Sequence, residues 1–154
     1  MSDHGQQSDK QTTVAAWVCR ICFALVFVVN VQCAFSYIFM PESFAGGFQL
    51  SGVEGAVAVR GIGIAFLMWN ATYPAFIVHP QRFRVLGVVI LFQQMIGLVG
   101  ESMIYLGLPG FGYAQLAHSI ARFIVFDAVG LVLMALSFVV LCASTRNRSI
   151  RVPQ

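Results

Sequence analysis

The chain has 154 residues, of which 58% are hydrophobic and 10% charged, with a mean hydropathy of +0.81 and a formal net charge of +3. Soluble domains carry about 25% charged residues, so a water-soluble fold of this length would leave much of its apolar surface uncovered. The composition therefore assigns most of the chain to lipid, and without a dense basic face it excludes a nucleic-acid binder.

Residues 1–13 are polar and read as a disordered tail. No basic region leads into a short apolar run, so the first apolar stretch is expected to stay in the chain. Four apolar stretches follow: Val14 to Met40, Gly55 to Val78, Val85 to Leu108 and His118 to Ser144. Each meets the roughly 20 residues that a helical span needs. Pro41 with Gly46 and Gly47, then His79-Pro80-Gln81, then Leu108-Pro109-Gly110 separate the spans. The expected fold is an all-α membrane protein, an antiparallel bundle of four transmembrane helices over residues 14–144, with a basic tail at 145–154. Pro74 lies inside the second span and is expected to kink it, freeing a carbonyl near Asn70. The loop at 41–54, with Phe44 and Phe48, is expected to lie over the mouth of the bundle.

Orientation follows from the basic residues outside the spans. Lys10, Arg82, Arg84, Arg146, Arg148 and Arg151 all fall on one side, whereas the loop at 41–54 holds only Glu42 and Glu54. The positive-inside bias makes the basic side cytoplasmic, and Arg20 can snorkel to the same face. Both chain ends are then cytoplasmic.

Charged groups within a span cost about 2.5–3.5 kcal/mol each on the mildest scale, so they face the bundle interior and pair. Counted inward from the outer ends, Arg60, Glu101 and Arg122 lie at similar depth, roughly 6–11 Å at the helical rise. His118 is one turn above Arg122 on the same face, and Tyr37 ends the first span at that level. These five residues form an expected polar layer in which Glu101 pairs with one or both arginines, leaving a surplus positive charge suited to an anionic or carbonyl-bearing ligand. The same layer equally serves as a staple that fixes helix register. Gly61, Gly63, Gly97 and Gly100 are expected to let the helices approach.

Asp127 is deeper and about 140° around its helix from Arg122, so it is expected apart from the layer. Its expected partners are Asn70, Gln93 or Gln94, and a neutral, hydrogen-bonded acid or a proton-relay site are its alternative roles. Gln94 and Glu101, seven apart, put a polar stripe on the third span.

Other signals are weak. Cys19 and Cys22 form a CxxC without the βαβ setting of a thiol oxidoreductase. Cys33 and Cys142 also lie in or beside apolar segments, where a disulfide framework is not expected. His4, His79 and His118 are too scattered for a metal site, and nothing in the sequence implies a cofactor. No nucleophile, base and oxyanion donor form a catalytic set.

The Arg-Gly-Ile-Gly at Arg60 to Gly63, an acid late in the third span at Glu101, and Arg122 with Asp127 in the fourth make a layout that resembles the DoxX-like family of small bacterial membrane proteins. The resemblance covers most of residues 14–144. It implies a bacterial inner-membrane location and a redox-accessory role. Three functions are compatible with the sequence. One is a pocket for a small lipophilic or anionic molecule in an accessory subunit of a redox system. The second is a non-enzymatic structural or assembly subunit. The third is a small dimeric proton-coupled transporter using Asp127 and Glu101. The expected partners are the lipid bilayer, such a ligand, and a second copy or another membrane subunit.

Overall fold

The computed structural model describes residues 3–151, with side chains described from 11 to 146. The side chains of His4, Lys10, Arg148 and Arg151 lie outside that range. Every regular element among the described residues is helical: α1 (Asp3–Phe39), α2 (Pro41–Ala45), a short 3-10 turn (Gly46–Phe48), α3 (Gly52–Asn70), α4 (Tyr73–Val78), α5 (Arg84–Gly107) and α6 (Ala114–Arg151). Four helical segments are long and apolar enough to cross a membrane: Gln11–Phe39, Gly52–Val78, Arg84–Gly107 and Ala114–Arg146.

Two helices are longer than their apolar cores. α1 runs back to Asp3 through the segment expected as a disordered tail, and α6 continues to Arg151 through the expected basic tail. A helix already nucleated by an apolar span adds residues without paying for a new nucleus. Thr12, in the expected tail, is buried.

The second span is broken where proline demands it. α3 ends at Asn70, Ala71 and Thr72 make a turn, and α4 restarts with Pro74 in its first turn. Proline lacks the N–H that would bond the Asn70 carbonyl, and its fixed φ suits a helix start. At the far end of α4, Arg20 Nη2 donates to the Val78 carbonyl at 2.9 Å while the guanidinium lies 4.9 Å from the centre of the Trp17 ring. That satisfies an orphan helix C-terminal carbonyl.

α1 packs against both α3 and α6, α5 packs against α6, and α4 bridges α1 and α5. The interior has two unlike halves. Toward the end carrying Arg20 and Arg84, Cys19, Phe23, Phe76, Ile90, Met134 and Leu141 are almost fully buried in one solid cluster. Phe23 and Phe76 touch with centroids 4.4 Å apart. Toward the other end, the buried cluster is thin and consists of Tyr37, Ala45 and Val59, with partly buried aromatic rings around it. The outer surface is apolar along the helices, with Val28, Phe92, Ile96 and Val132 all more than half exposed. Side chains of that kind on every helix are a lipid-facing surface.

Local packing selects among the glycines. A Cβ on Gly63 would stand 2.8 Å from the Ala34 carbonyl oxygen, and one on Gly97 would stand 2.7 Å from Trp69 Cη2. Gly61 and Gly100, expected to serve the same purpose, face open space. They lie two and three positions away from their neighbours, on faces turned from the contact.

A candidate binding cavity

The thinly filled half of the bundle holds a cavity of about 740 Å³, lined by α1, α3, α5, α6 and the α2 segment with its following turn. Its walls are aromatic. Tyr37 lies against Phe44 with ring centroids at 4.9 Å, stacks on Phe66 at 6.2 Å and meets Phe123 edge-on at 6.4 Å. Phe48 stacks on Phe123 at 6.4 Å, and Trp69 and Phe126 complete the wall. Phe66 and Trp69, like Phe123 and Phe126, are three apart and so share a helix face.

The 41–49 segment closes the top, as Phe44 and Phe48 suggested. It is tied down by polar bonds. Ser119 Oγ donates to the Gly47 carbonyl at 2.7 Å. Gln49 Nε2 donates to the Gly112 carbonyl at 2.7 Å, and its Oε1 accepts from the Leu116 N–H at 3.3 Å. Gln49 thus straps this segment to the start of α6, from a left-handed backbone at φ 55°.

The floor is polar. The Tyr73 hydroxyl donates to Gln94 Oε1 at 3.4 Å, and Gln94 Nε2 donates to Asp127 Oδ1 at 2.8 Å. Gln94 and Tyr73 are buried, so the chain is sheltered from solvent. Beside it, Asn70 Nδ2 donates to the Phe66 carbonyl at 2.8 Å, and Asn30 Nδ2 donates to Asn70 Oδ1 at 3.4 Å. Of the three partners expected for Asp127, only Gln94 reaches it. Gln93 is turned about 100° away and accepts instead from Thr72 at 3.4 Å.

The expected layer is partly assembled. Tyr37, Glu101, His118 and Arg122 line the cavity, and so do Asp127, Asn70 and Gln94. Asp127, placed apart from the layer by its helical angle, shares the cavity with Arg122 because the hollow is wide enough for both faces of that arc. Arg60 is outside. The buried face of α3 runs through Gly55, Val59 and Gly63, and Arg60, one residue past Val59, is turned about 100° from it. It is exposed, and its Nε donates to the Ile38 carbonyl at 3.1 Å, capping the last turn of α1. Depth was inferred well enough to place Arg60 near that end of α1, but depth says nothing about which way a side chain faces.

The expected Arg–Glu–Arg pairing is absent. Among the described residues, no carboxylate oxygen of Glu101 lies within 4.0 Å of an Arg60 or Arg122 nitrogen, and Glu101 Oε2 is buried without a hydrogen-bond partner. Arg122 stands eight residues after Ala114, deeper along α6 than a helix beginning at His118 implied. His118 and Arg122 are exposed and line the cavity with Gln115. The surplus positive charge predicted for this site therefore disappears: two carboxyl groups face one arginine.

Sequence reasoning missed Asn30, Phe66, Trp69, Phe123 and Phe126. The three-residue spacing of the rings was a readable signal, but it is also what an ordinary packed face presents. The cysteines of the CxxC are both free, and Cys19 is buried in the solid half, away from the cavity. No group of three or more His, Cys, Asp or Glu side chains among the described residues could hold a metal ion.

These features define a class, an all-helical multi-pass membrane protein with a large cavity in one half of its helix cluster. Comparison with family models, with curated proteins and with solved structures finds no match. These comparisons give the DoxX-like reading no support.

Proposed function

We propose that this protein binds a small lipophilic molecule in the cavity, as a receptor, carrier or accessory subunit within the membrane. One observation carries the reading. Half of the interior is filled by a cluster of almost fully buried side chains, while the other half keeps about 740 Å³ open behind an aromatic wall. Pockets for drug-sized ligands run to roughly 300–1,000 Å³ and combine apolar walls with a few convergent polar groups. A register-fixing staple would have closed Glu101 onto an arginine and needs no hollow. The anionic ligand expected from an Arg–Glu–Arg layer loses its basis with Arg60 outside.

The setting proposed is a bundle of antiparallel spans with both ends cytoplasmic and the cavity toward the opposite face. Arg20, Arg82, Arg84 and Arg146 at one end, against Glu42 and Glu54 at the other, support it. A bacterial inner membrane is what the DoxX-like layout implies.

The cavity contains one of the two tryptophans of the chain. In a Trp17→Phe variant in lipid nanodiscs, the neutral probe para-bromoneopentylbenzene is expected to quench Trp69 saturably through its bromine. Ser36→Phe, which fills the cavity from α1, is expected to weaken that quenching strongly. Quenching that rises linearly with probe, as simple lipid partitioning would give, or that ignores Ser36→Phe, refutes the binding reading.

A further inference from the structure

Granting the binding function above, the lining of the cavity specifies the charge of its occupant. The hydrogen bonds of the floor have one direction. Tyr73 occupies the amide oxygen of Gln94, which leaves the amide N–H to point at Asp127 Oδ1. A carboxyl oxygen held this way is a fixed acceptor. Asp127 Oδ2 lies against α5, 3.0 Å from the position a Cβ on Gly97 would take. The tip of the Trp69 indole reaches the same point from α3, 2.7 Å from that position. An acid and an indole therefore meet at Gly97. One turn further along α5, Glu101 adds a second carboxyl group, with Oε2 buried and unpartnered.

Among the described residues, no basic side chain forms an ion pair with either carboxyl group. Arg122 makes no ion pair with Glu101, and Arg60 faces away. Aromatic rings carry negative π faces, which attract cations most strongly where water is excluded. Carboxyl groups and aromatic faces ask for the same thing, a positive charge carried by a group with an apolar body. A carboxylate or phosphate would instead meet the carboxyl groups of Asp127 and Glu101. Arg122 also lines the cavity. A second positive charge on the occupant would sit beside Arg122 and be repelled.

We infer that the cavity binds an amphipathic organic monocation, a protonated or quaternary amine. Its head sits between Glu101, Asp127 and Trp69, and its apolar body lies along Phe66, Phe123 and Phe126.

The test uses the Trp69 quenching assay on the full chain in nanodiscs of zwitterionic lipid. Three probes share one bromophenyl group: para-bromobenzyltrimethylammonium, its neutral isostere para-bromoneopentylbenzene, and the anion para-bromophenylacetate. The cation is expected to bind at least about tenfold more tightly than its isostere, the size of a desolvated cation–π and ion-pair preference. Glu101→Gln and Asp127→Asn should each cut that preference, and Arg122→Gln should raise it. Circular dichroism and gel filtration identify variants that fold; if one acid variant does not, the other and Arg122→Gln still decide. Equal binding of cation and isostere, tightest binding of the anion, or a preference that survives in the folded acid variants overturns the inference. When the neutral probe saturates and the cation shows no advantage, only the charge assignment falls. When no probe quenches Trp69 saturably, the binding function falls with it.

Discussion

Gly63 and Gly61 are two residues apart on α3 and provide a paired test of how α1 and α3 meet. A methyl group on Gly63 would stand 2.8 Å from the Ala34 carbonyl oxygen, 2.9 Å from Ile38 Cγ1 and 2.9 Å from Tyr37 Cβ. The first of these is backbone, so α1 as a whole has to move away. Overpacking of this kind costs about 1–3 kcal/mol, and the helix propensity gained by replacing glycine with alanine returns up to about 1 kcal/mol. The backbone contact places the overpacking cost in the upper part of its range, about 2–3 kcal/mol. The net expectation for Gly63→Ala is then a loss of about 1–2 kcal/mol, roughly a fivefold to thirtyfold fall in the folded-to-unfolded ratio. Tyr37 also forms part of the cavity wall, so the displacement should weaken quenching of Trp69 by the neutral probe. At Gly61 a methyl group meets nothing within 4 Å, and Gly61→Ala is expected to be neutral or stabilising by up to about 1 kcal/mol. Equilibrium unfolding in mixed micelles, followed by circular dichroism while the denaturing detergent is raised, measures both. Equal destabilisation by the two substitutions, or none by Gly63→Ala, would refute the close approach of α1 and α3.

Arg60→Ala is expected to leave the Trp69 quenching curve unchanged, because Arg60 caps the Ile38 carbonyl on the outside of the bundle; lost binding would return Arg60 to the site. Gln94→Leu removes the donor to Asp127 and the acceptor of Tyr73 together. Stranding those buried groups should cost about 1–3 kcal/mol, and a variant as stable as its parent in the same unfolding assay would mean that the floor network is ornamental. In a chain whose four cysteines are replaced by serine, a cysteine at Ser51 should react with an impermeant thiol reagent from outside the cell. A cysteine at Arg82 should react only after the membrane is opened, and the reverse pattern would invert the proposed orientation.

The spans were legible because lipid imposes a constraint that composition alone can answer. Some 20 apolar residues in a row have few other fates, and a long apolar helical segment is found at each of the four stretches read from the sequence, the first and third ending one residue short of Met40 and Leu108. Pro74 was equally legible, since a missing N–H breaks a helix wherever it falls. Helix ends were less so. His118 was taken as the start of the fourth span, yet α6 begins at Ala114. The helix continues into polar sequence for as long as its backbone bonds can be made.

Which intramembrane polar residues gather was only half readable. Asp127, Gln94 and Asn70 were singled out as polar groups in lipid, and all three line the cavity. Arg60 met the same criterion and lies outside it. Hydropathy reports how deep a residue lies, but the azimuth of each helix is set by packing. Gly63 against Ala34 and Tyr37 turns α3 so that Arg60 faces outward.

By itself, then, the sequence determined the solvent of this protein, the number of its long apolar helices and the break at Pro74, because each is a local consequence of burying backbone in lipid. Only the tertiary structure decided that one half of the interior is filled and the other hollow. It also decided that Glu101 lacks an arginine partner and that the rings of α1, α3 and α6 face one another. Those outcomes depend on side chains from four distant segments meeting, and no single segment carries the information about where the other three will stand.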